Sequence, residues 1–260
     1  MRVLAVATAI AVLIAVLLPF QIVALLFKLP ARRTIPVFFH RAICRLLNMR
    51  VRVIGELAAG PALIVANHTS WLDICAFSSV APVIFVAKRE VATWPLFGQL
   101  ARLARSVFID RTRRSGTASA SRAIAALLAE GERVVLFAEG TSNDGGRVLP
   151  FRSSLLAAAR AAPEGRAPLP IALQPTAIVY TALAGLPLNR RCRPRVAWYG
   201  DLDLLPHLAT VIRGGGIDVV IHAGRAVNGD AILDRKIAAQ DLEAQVRALR
   251  LAVLRAPLPQ

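Results

Sequence analysis

Hydrophobic residues are laid out along this chain in three regimes. From Val3 to Phe27 the sequence is almost continuously apolar, interrupted only by Thr8, Pro19 and Gln21. About 25 helical residues reach roughly 37 Å, enough for a hydrocarbon core of about 30 Å, so the run predicts a membrane-anchoring helix. Pro19 is a place for a kink, or for a division into a span and an interfacial piece. A cleaved signal peptide is the alternative, but the run outlasts a usual h-region and no clear small-residue cleavage site follows it. From Ile35 to Met49 apolar residues recur at helical spacing with arginines between them. This predicts an amphipathic helix on the membrane surface or on the domain, with His40 as an interfacial residue.

From residue 60 the pattern changes to short apolar runs alternating with helical periodicity. Strands are expected over 62–66, 83–87, 106–109, 133–138, 171–179, 195–199 and 217–222. Helices are expected over about 70–80, 95–104, 116–130, 152–162 and 239–254. Continuous runs such as Val134-Val135-Leu136-Phe137 suit strands buried on both faces. The alternation predicts an α/β fold, a mixed sheet covered by helices. Residues 163–170 and 186–194 read as loops. Arg247, Arg250 and Arg255, near the end of the last helix, suit its dipole. The expected organisation is a membrane-anchoring segment over 1–55 and a catalytic domain over 56–260.

Composition sharpens this picture. The chain has 260 residues, is 56% hydrophobic and carries a net charge of +16. A basic, apolar chain points to an anionic membrane surface or to acidic substrates. Nucleic acid is a poor fit, because only 6% of residues are aromatic and no basic run is interleaved with them. Lys28, Arg32, Arg33, Arg41, Arg45, Arg50 and Arg52 follow the apolar run, against Arg2 before it. The positive-inside bias then puts the body of the protein on the cytoplasmic side, at the inner membrane, as a single-pass or monotopic protein. Cys44, Cys75 and Cys192 are widely spaced and odd in number, which argues against disulfides and a zinc site; no metal is implied. Cys75 is expected to pack within its helix.

The chemistry is concentrated where apolar runs end. Asn67-His68-Thr69-Ser70-Trp71-Leu72-Asp73 follows the run 62–66 and puts a histidine and an aspartate five positions apart. A histidine at a strand's carboxyl end lies where α/β sheets bind ligands, and a carboxylate on one ring nitrogen leaves the other free to take a proton. Ser70 to Asp73 also fits a helix capping box, which would leave His68 an ordinary turn residue. Ser106-Val107-Phe108-Ile109-Asp110-Arg111 ends a second strand with an arginine able to grip a phosphate; a solvated turn with a local ion pair fits as well. Phe137-Ala138-Glu139-Gly140-Thr141-Ser142 ends a third, and Gly145-Gly146-Arg147 and Leu149-Pro150-Phe151-Arg152 extend its loop. Leu169-Pro170-Ile171-Ala172-Leu173-Gln174-Pro175 opens a fourth. His222 reads as structural, and His207 as a loop residue without a partner.

In this order and at these separations the four segments resemble the glycerolipid acyltransferases of the 1-acyl-sn-glycerol-3-phosphate type, over about residues 60–225. That family carries N-H-x4-D, F-I-D-R, F-P-E-G-T-R and a short V-P-I-like strand. Asn67, His68 and Asp73 match the first block, Phe108 to Arg111 the second, and Phe137, Glu139, Gly140 and Thr141 the third. The resemblance implies acyl transfer from an acyl thioester, acyl-CoA or an acylated carrier protein, to the hydroxyl of a membrane lysolipid. It implies no other cofactor. His68 becomes the general base and Asp73 its orienting partner, with Asn67, Arg111, Glu139, Gly140, Thr141 and Arg152 around the substrate. The expected acceptor is 1-acyl-sn-glycerol-3-phosphate. Arg105 stands where the family has a glycine, and Ser142 where it has an arginine. The second change leaves open how the head group is held, with Arg111, Arg147 and Arg152 as candidates, and it keeps another acceptor, such as lyso-ornithine lipid, in view. A non-catalytic membrane-binding protein is the alternative of another class.

Overall fold

The computed structural model describes residues 1–110, 114–154, 156, 171–228 and 234–256. Two helices come first, α1 (Arg2–Leu26) and α2 (Ala31–Leu46). Then come β1 (Met49–Ile54), β2 (Ala62–Ala66), α3 (Leu72–Val80), β3 (Ile84–Lys88), α4 (Phe97–Leu103) and β4 (Val107–Ile109). The rest is α5 (Arg114–Ala129), β5 (Arg133–Phe137), β6 (Ala172–Leu183), β7 (Leu186–Pro187), α6 (Leu204–Arg213), β8 (Ile217–Ala223), β9 (Val227–Asn228) and α7 (Arg235–Arg255).

The described strands form one sheet in the order β1-β8-β6-β2-β5-β3-β4, with β7 and β9 on the flank of β6. β2 is parallel to both β5 and β6, β8 is antiparallel to β6, and β1 is parallel to β8, so the sheet is mixed as expected. Strand alternation divides the core in two. Leu63, Val65, Val134 and Leu136 face α5 and α7 through Ile124, Leu128, Leu242 and Val246. Ile64, Ala66, Val135 and Phe137 face the other layer, where α1, α2, α3 and α6 supply Val6, Ile43, Phe77 and Val211.

Several elements differ from the sequence reading. β1 was not foreseen, and it brings Met49–Ile54, on the N-terminal side of the expected boundary at 55, into the sheet. α2 ends at Leu46, where Asn48 takes a left-handed φ of 53° and turns the chain. The arginines of Met49-Arg50-Val51-Arg52-Val53-Ile54 hid a strand that alternates; Arg50 pairs with Asp218 on β8, Nη2 to Oδ2 at 2.9 Å. No strand forms over 195–199. A 3-10 turn at Arg193–Arg195 leads into an irregular stretch whose amides are used elsewhere, Val196 and Ala197 on the Arg193 carbonyl and Trp198 on the Thr69 carbonyl. His207 lies in α6, not in a loop. The helix expected over 152–162 lies largely outside the described residues.

The segment after β2 lies along β6, because β6 continues for seven residues beyond its last pairing with β2, at Ala66 and Thr176. Asn67 uses that overhang. Its Nδ2 donates to the Ile178 carbonyl and its Oδ1 accepts from the Ile178 amide, each at 2.9 Å. The side chain is 3% exposed, so it anchors the segment to the scaffold.

Candidate active site

His68 follows this anchor. Its ring lies flat on Phe137 of β5, with centroids 4.0 Å apart and planes at 12°. Ala66 and Phe137 are register partners, which brings the stack together. Nδ1 lies 2.8 Å from Asp73 Oδ2. A carboxylate oxygen accepts, so Nδ1 carries the proton and Nε2 presents its lone pair.

Asp73 sits in the first turn of α3 and is fully buried. Its Oδ2 also accepts from the amides of Thr69 and Ser70, at 2.7 and 3.0 Å, and its Oδ1 accepts from the Tyr180 hydroxyl at 2.6 Å. The carboxylate half of the capping box, Asp73 on the Ser70 amide, therefore coexists with the His–Asp pair, while the Ser70 hydroxyl makes no cap hydrogen bond. Burial and the neighbouring Asp73 push the Tyr180 hydroxyl well above its ordinary value, which keeps it a donor. Tyr180 was missed at the sequence level, because a tyrosine in an apolar strand carries no mark of the partner it will meet. Cys75 is buried in α3 with its thiol pushed well up by burial, in keeping with a packing role.

The loop after β5 closes over the same place. The Asn143 amide donates to the His68 carbonyl at 3.1 Å, and the Asn143 side chain donates to Glu139 Oε2. Glu139 is 2% exposed. Burial raises its carboxyl from 4.5 to about 8, against the lowering effect of the Asn143 hydrogen bond. Gly140 turns with φ 75°, a conformation costly for any residue with a Cβ. Thr141 is partly exposed and Arg152 exposed, the latter held by its amide to the Ala138 carbonyl at 2.9 Å. Arg111 lies outside the described residues. Of the expected residues, Asp73 meets His68 directly, Glu139 is tied to the His68 segment through Asn143, and Asn67 and Glu139 are buried struts.

Other residues acquire roles the sequence did not suggest. Trp71 Nε1 donates to His207 Nδ1 at 3.0 Å, so His207 has a partner after all. Arg250 does more than suit a helix dipole, since its Nη2 reaches the carbonyls of Gly145 and Gly146 at 2.6 and 3.0 Å. His222 is structural as expected, with Nδ1 on the Leu249 carbonyl. Arg105 takes φ 62°, the left-handed conformation that explains a glycine at this place in the family. Here the guanidinium pairs with Glu130 at 2.8 Å and with the buried Glu132, which offsets the backbone cost.

The comparisons with known proteins bear on this geometry. Residues 48–179 match the Acyltransferase family model. The chain belongs to the acyltransferase family. It is 46% identical over 239 residues to the lyso-ornithine lipid O-acyltransferase of Brucella abortus, covering 92% of this chain and 90% of that protein. Against the 1-acyl-sn-glycerol-3-phosphate acyltransferase of Neisseria gonorrhoeae it is 40% identical over 97 residues, covering 37% of this chain and 38% of that one. The crystal structure of the 1-acyl-sn-glycerophosphate (LPA) acyltransferase PlsC from Thermotoga maritima superposes over the full length of both chains with a TM-score of 0.67 at 18% identity, which shows a shared fold. The chain is therefore an acyltransferase with the fold expected from its motifs, in a family whose similar members act on lysolipids.

Proposed function

We propose that this acyltransferase moves a fatty acyl group from an acyl thioester to the hydroxyl of lyso-ornithine lipid. One observation carries the choice of acceptor: the likeness to the Brucella lyso-ornithine lipid enzyme runs almost end to end, while the likeness to the Neisseria glycerophosphate enzyme covers little more than a third of the chain. Ser142, where the glycerophosphate pattern has an arginine, supports the same choice, because it removes a cation suited to a phosphate. This replaces 1-acyl-sn-glycerol-3-phosphate, which the motifs alone favoured, as the leading acceptor.

His68 Nε2 takes the hydroxyl proton as the oxygen attacks the thioester carbonyl. The C–S bond then breaks, and the imidazolium returns the proton to the leaving thiolate. Asp73 holds the ring and stabilises the imidazolium, with Tyr180 and two backbone amides fixing the carboxylate. Base assistance of this kind gives about 10²–10⁴-fold, and positioning of the two substrates supplies the rest. Asn67, Glu139 and Gly140 shape the site as struts, with Thr141 and Arg152 at the substrate side; Arg111 is assigned to the acceptor from its sequence block alone. The donor is acyl-CoA or an acylated carrier protein, both acidic and both drawn to a chain of charge +16.

The N-terminal helices α1 and α2 act as the membrane anchor, with the catalytic groups on the cytoplasmic side. Supporting this, α1 has a mean hydropathy of 2.8 over its best window, and only 6% of that window is buried. Both halves of α1 nevertheless touch the domain. Val6 joins the core layer with α6, and Gln21 Nε2 donates to the Leu103 carbonyl at 2.8 Å. A helix tied at both halves lies along the domain, so we favour a monotopic placement in one leaflet over a free span.

The test is a competition assay on detergent-solubilised enzyme, with lyso-ornithine lipid and lysophosphatidate sharing a labelled acyl donor. The expected result is preference for the ornithine lipid and loss of about 10²-fold or more in His68→Ala. Preference for lysophosphatidate reverses the acceptor assignment, and undiminished transfer by His68→Ala overturns the mechanism.

A further inference from the structure

One residue beyond His68 the structure holds an unbalanced cluster of charge around a small cavity. Thr69, Asp144, Gly145, Tyr180, Arg193 and Arg250 line it, and it measures about 30 Å³, room for about two waters. The two arginines come from separate elements: Arg193 from the 3-10 turn that begins in the expected loop 186–194, Arg250 from the last turns of α7. Gly146 makes the approach of Arg193 feasible. A Cβ there would meet Arg193 Nη1 at 2.9 Å and Asp144 Oδ1 at 2.9 Å.

The charges do not cancel. Arg250 spends one nitrogen on two carbonyls, and its guanidinium pKa is lowered by burial and then by Arg193. Asp144 is bonded to the Gly146 amide at 2.8 Å, and it forms no ion pair with either arginine. Arg193 has no hydrogen-bond or ion-pair partner for its guanidinium among the described residues. Asp144 and Glu139 act on Arg250 as counter-charges, but Arg193 keeps no ion-pair partner among the described residues, so an anion entering the cavity would be drawn to the arginine pair. A guanidinium fork matches a carboxylate in shape and donates to both of its oxygens.

We propose that Arg193 and Arg250 seat the carboxylate of an amino-acid head group on the acceptor lipid, which sets its specificity. The inference rests on the ornithine-lipid reading above and adds the residues that make the choice. Both arginines lie outside the segment matched by the family model, residues 48–179. Acceptor choice is thereby separated from the shared catalytic block. Ornithine offers a carboxylate in place of a phosphate, and Asp144, at the same cavity, is placed to attract its ammonium.

The test uses full-length, detergent-solubilised enzyme with lyso-ornithine lipid and its carboxyl methyl ester as acceptors. Wild type is compared with Arg193→Gln, Arg193→Lys and Gly146→Ala. For Arg193→Gln the acceptor KM should rise about tenfold to a hundredfold, the loss of one charge-assisted contact, with the donor KM unchanged. The ester should cost wild type a similar factor. The two losses should not add, because both remove the same contact. Arg193→Lys should recover part of the loss. Gly146→Ala should reproduce some of it by displacing the Arg193 side chain, independently of any folding defect in the arginine variants. If Arg193→Gln distinguishes acid from ester as well as wild type does, the inference is overturned while the acceptor assignment stands. If wild type does not acylate lyso-ornithine lipid, both fall.

Discussion

At the scale of single residues, the site is organised by what converges on buried carboxyls. Asp73 collects four donors, from His68, Thr69, Ser70 and Tyr180. Glu139, by contrast, is buried with Asn143 as its side-chain donor, and its carboxyl is raised to about 8. A carboxyl raised from 4.5 to about 8 binds its proton in the folded state between those values while the unfolded chain has lost it. Stability therefore falls as pH rises from about 4.5 to about 8. Glu139→Gln, which keeps the shape and removes the titration, should flatten the pH dependence of Tm across that window and raise Tm at its upper end. Thermal unfolding in detergent at several pH values measures this; an unchanged slope would show that the group does not titrate there. The sequence showed Glu139 at the right place in its block. It could not show that the side chain faces inward, because that depends on β2, α3 and the 143–146 loop closing over it.

At the scale of elements, α1 decides how the protein meets the membrane. Its length and hydropathy fit a span, and the chain pattern left spanning and interfacial placement equal. What distinguishes them is contact. Val3, Val6, Ile10 and Leu13 pack on the same layer as α3 and α6, while Val12, Val16, Phe20, Val23 and Phe27 are exposed. An apolar helix with one face on the domain and the other uncovered is suited to lying at the acyl boundary. The amino terminus should therefore lie on the same side of the membrane as the catalytic domain. A protease-cleavable tag at Met1 and one at the carboxyl end should be cut together in inside-out vesicles and both be protected in right-side-out ones. Cleavage at opposite faces would establish a span. The same contact logic explains the unforeseen elements. Met49–Ile54 has arginines between its apolar residues and Leu204–Arg213 has Pro206 and His207 among them, and they become a strand and a helix by pairing with β8 and packing under α1.

At the scale of the whole molecule, a net charge of +16 on a chain with an apolar anchor gives two separable forces. Burial of apolar faces is insensitive to salt, while attraction to anionic lipid is screened over about 8 Å at physiological ionic strength. Binding of the enzyme to vesicles should thus persist on zwitterionic lipid, strengthen with anionic lipid, and lose only the increment as salt rises. Flotation of the protein with vesicles of the two compositions across a salt series would show this; complete release by salt would leave no role for the apolar face.

The sequence by itself determined the class of fold, the place of most strands along the chain and the His68–Asp73 spacing. Those follow from local facts: strand periodicity, turns after apolar runs, and a histidine five residues before an aspartate. Register and closure belong to the tertiary structure. Only the pairing of Ala66 with Phe137 puts an aromatic ring beneath His68, and only the overhang of β6 brings Tyr180 to Asp73 from 107 residues away. Arg193 and Arg250 meet for the same reason. One rides on a 3-10 turn outside the sheet, the other on a helix that packs across β6 and β8, and their approach depends on distances between elements that no local pattern encodes.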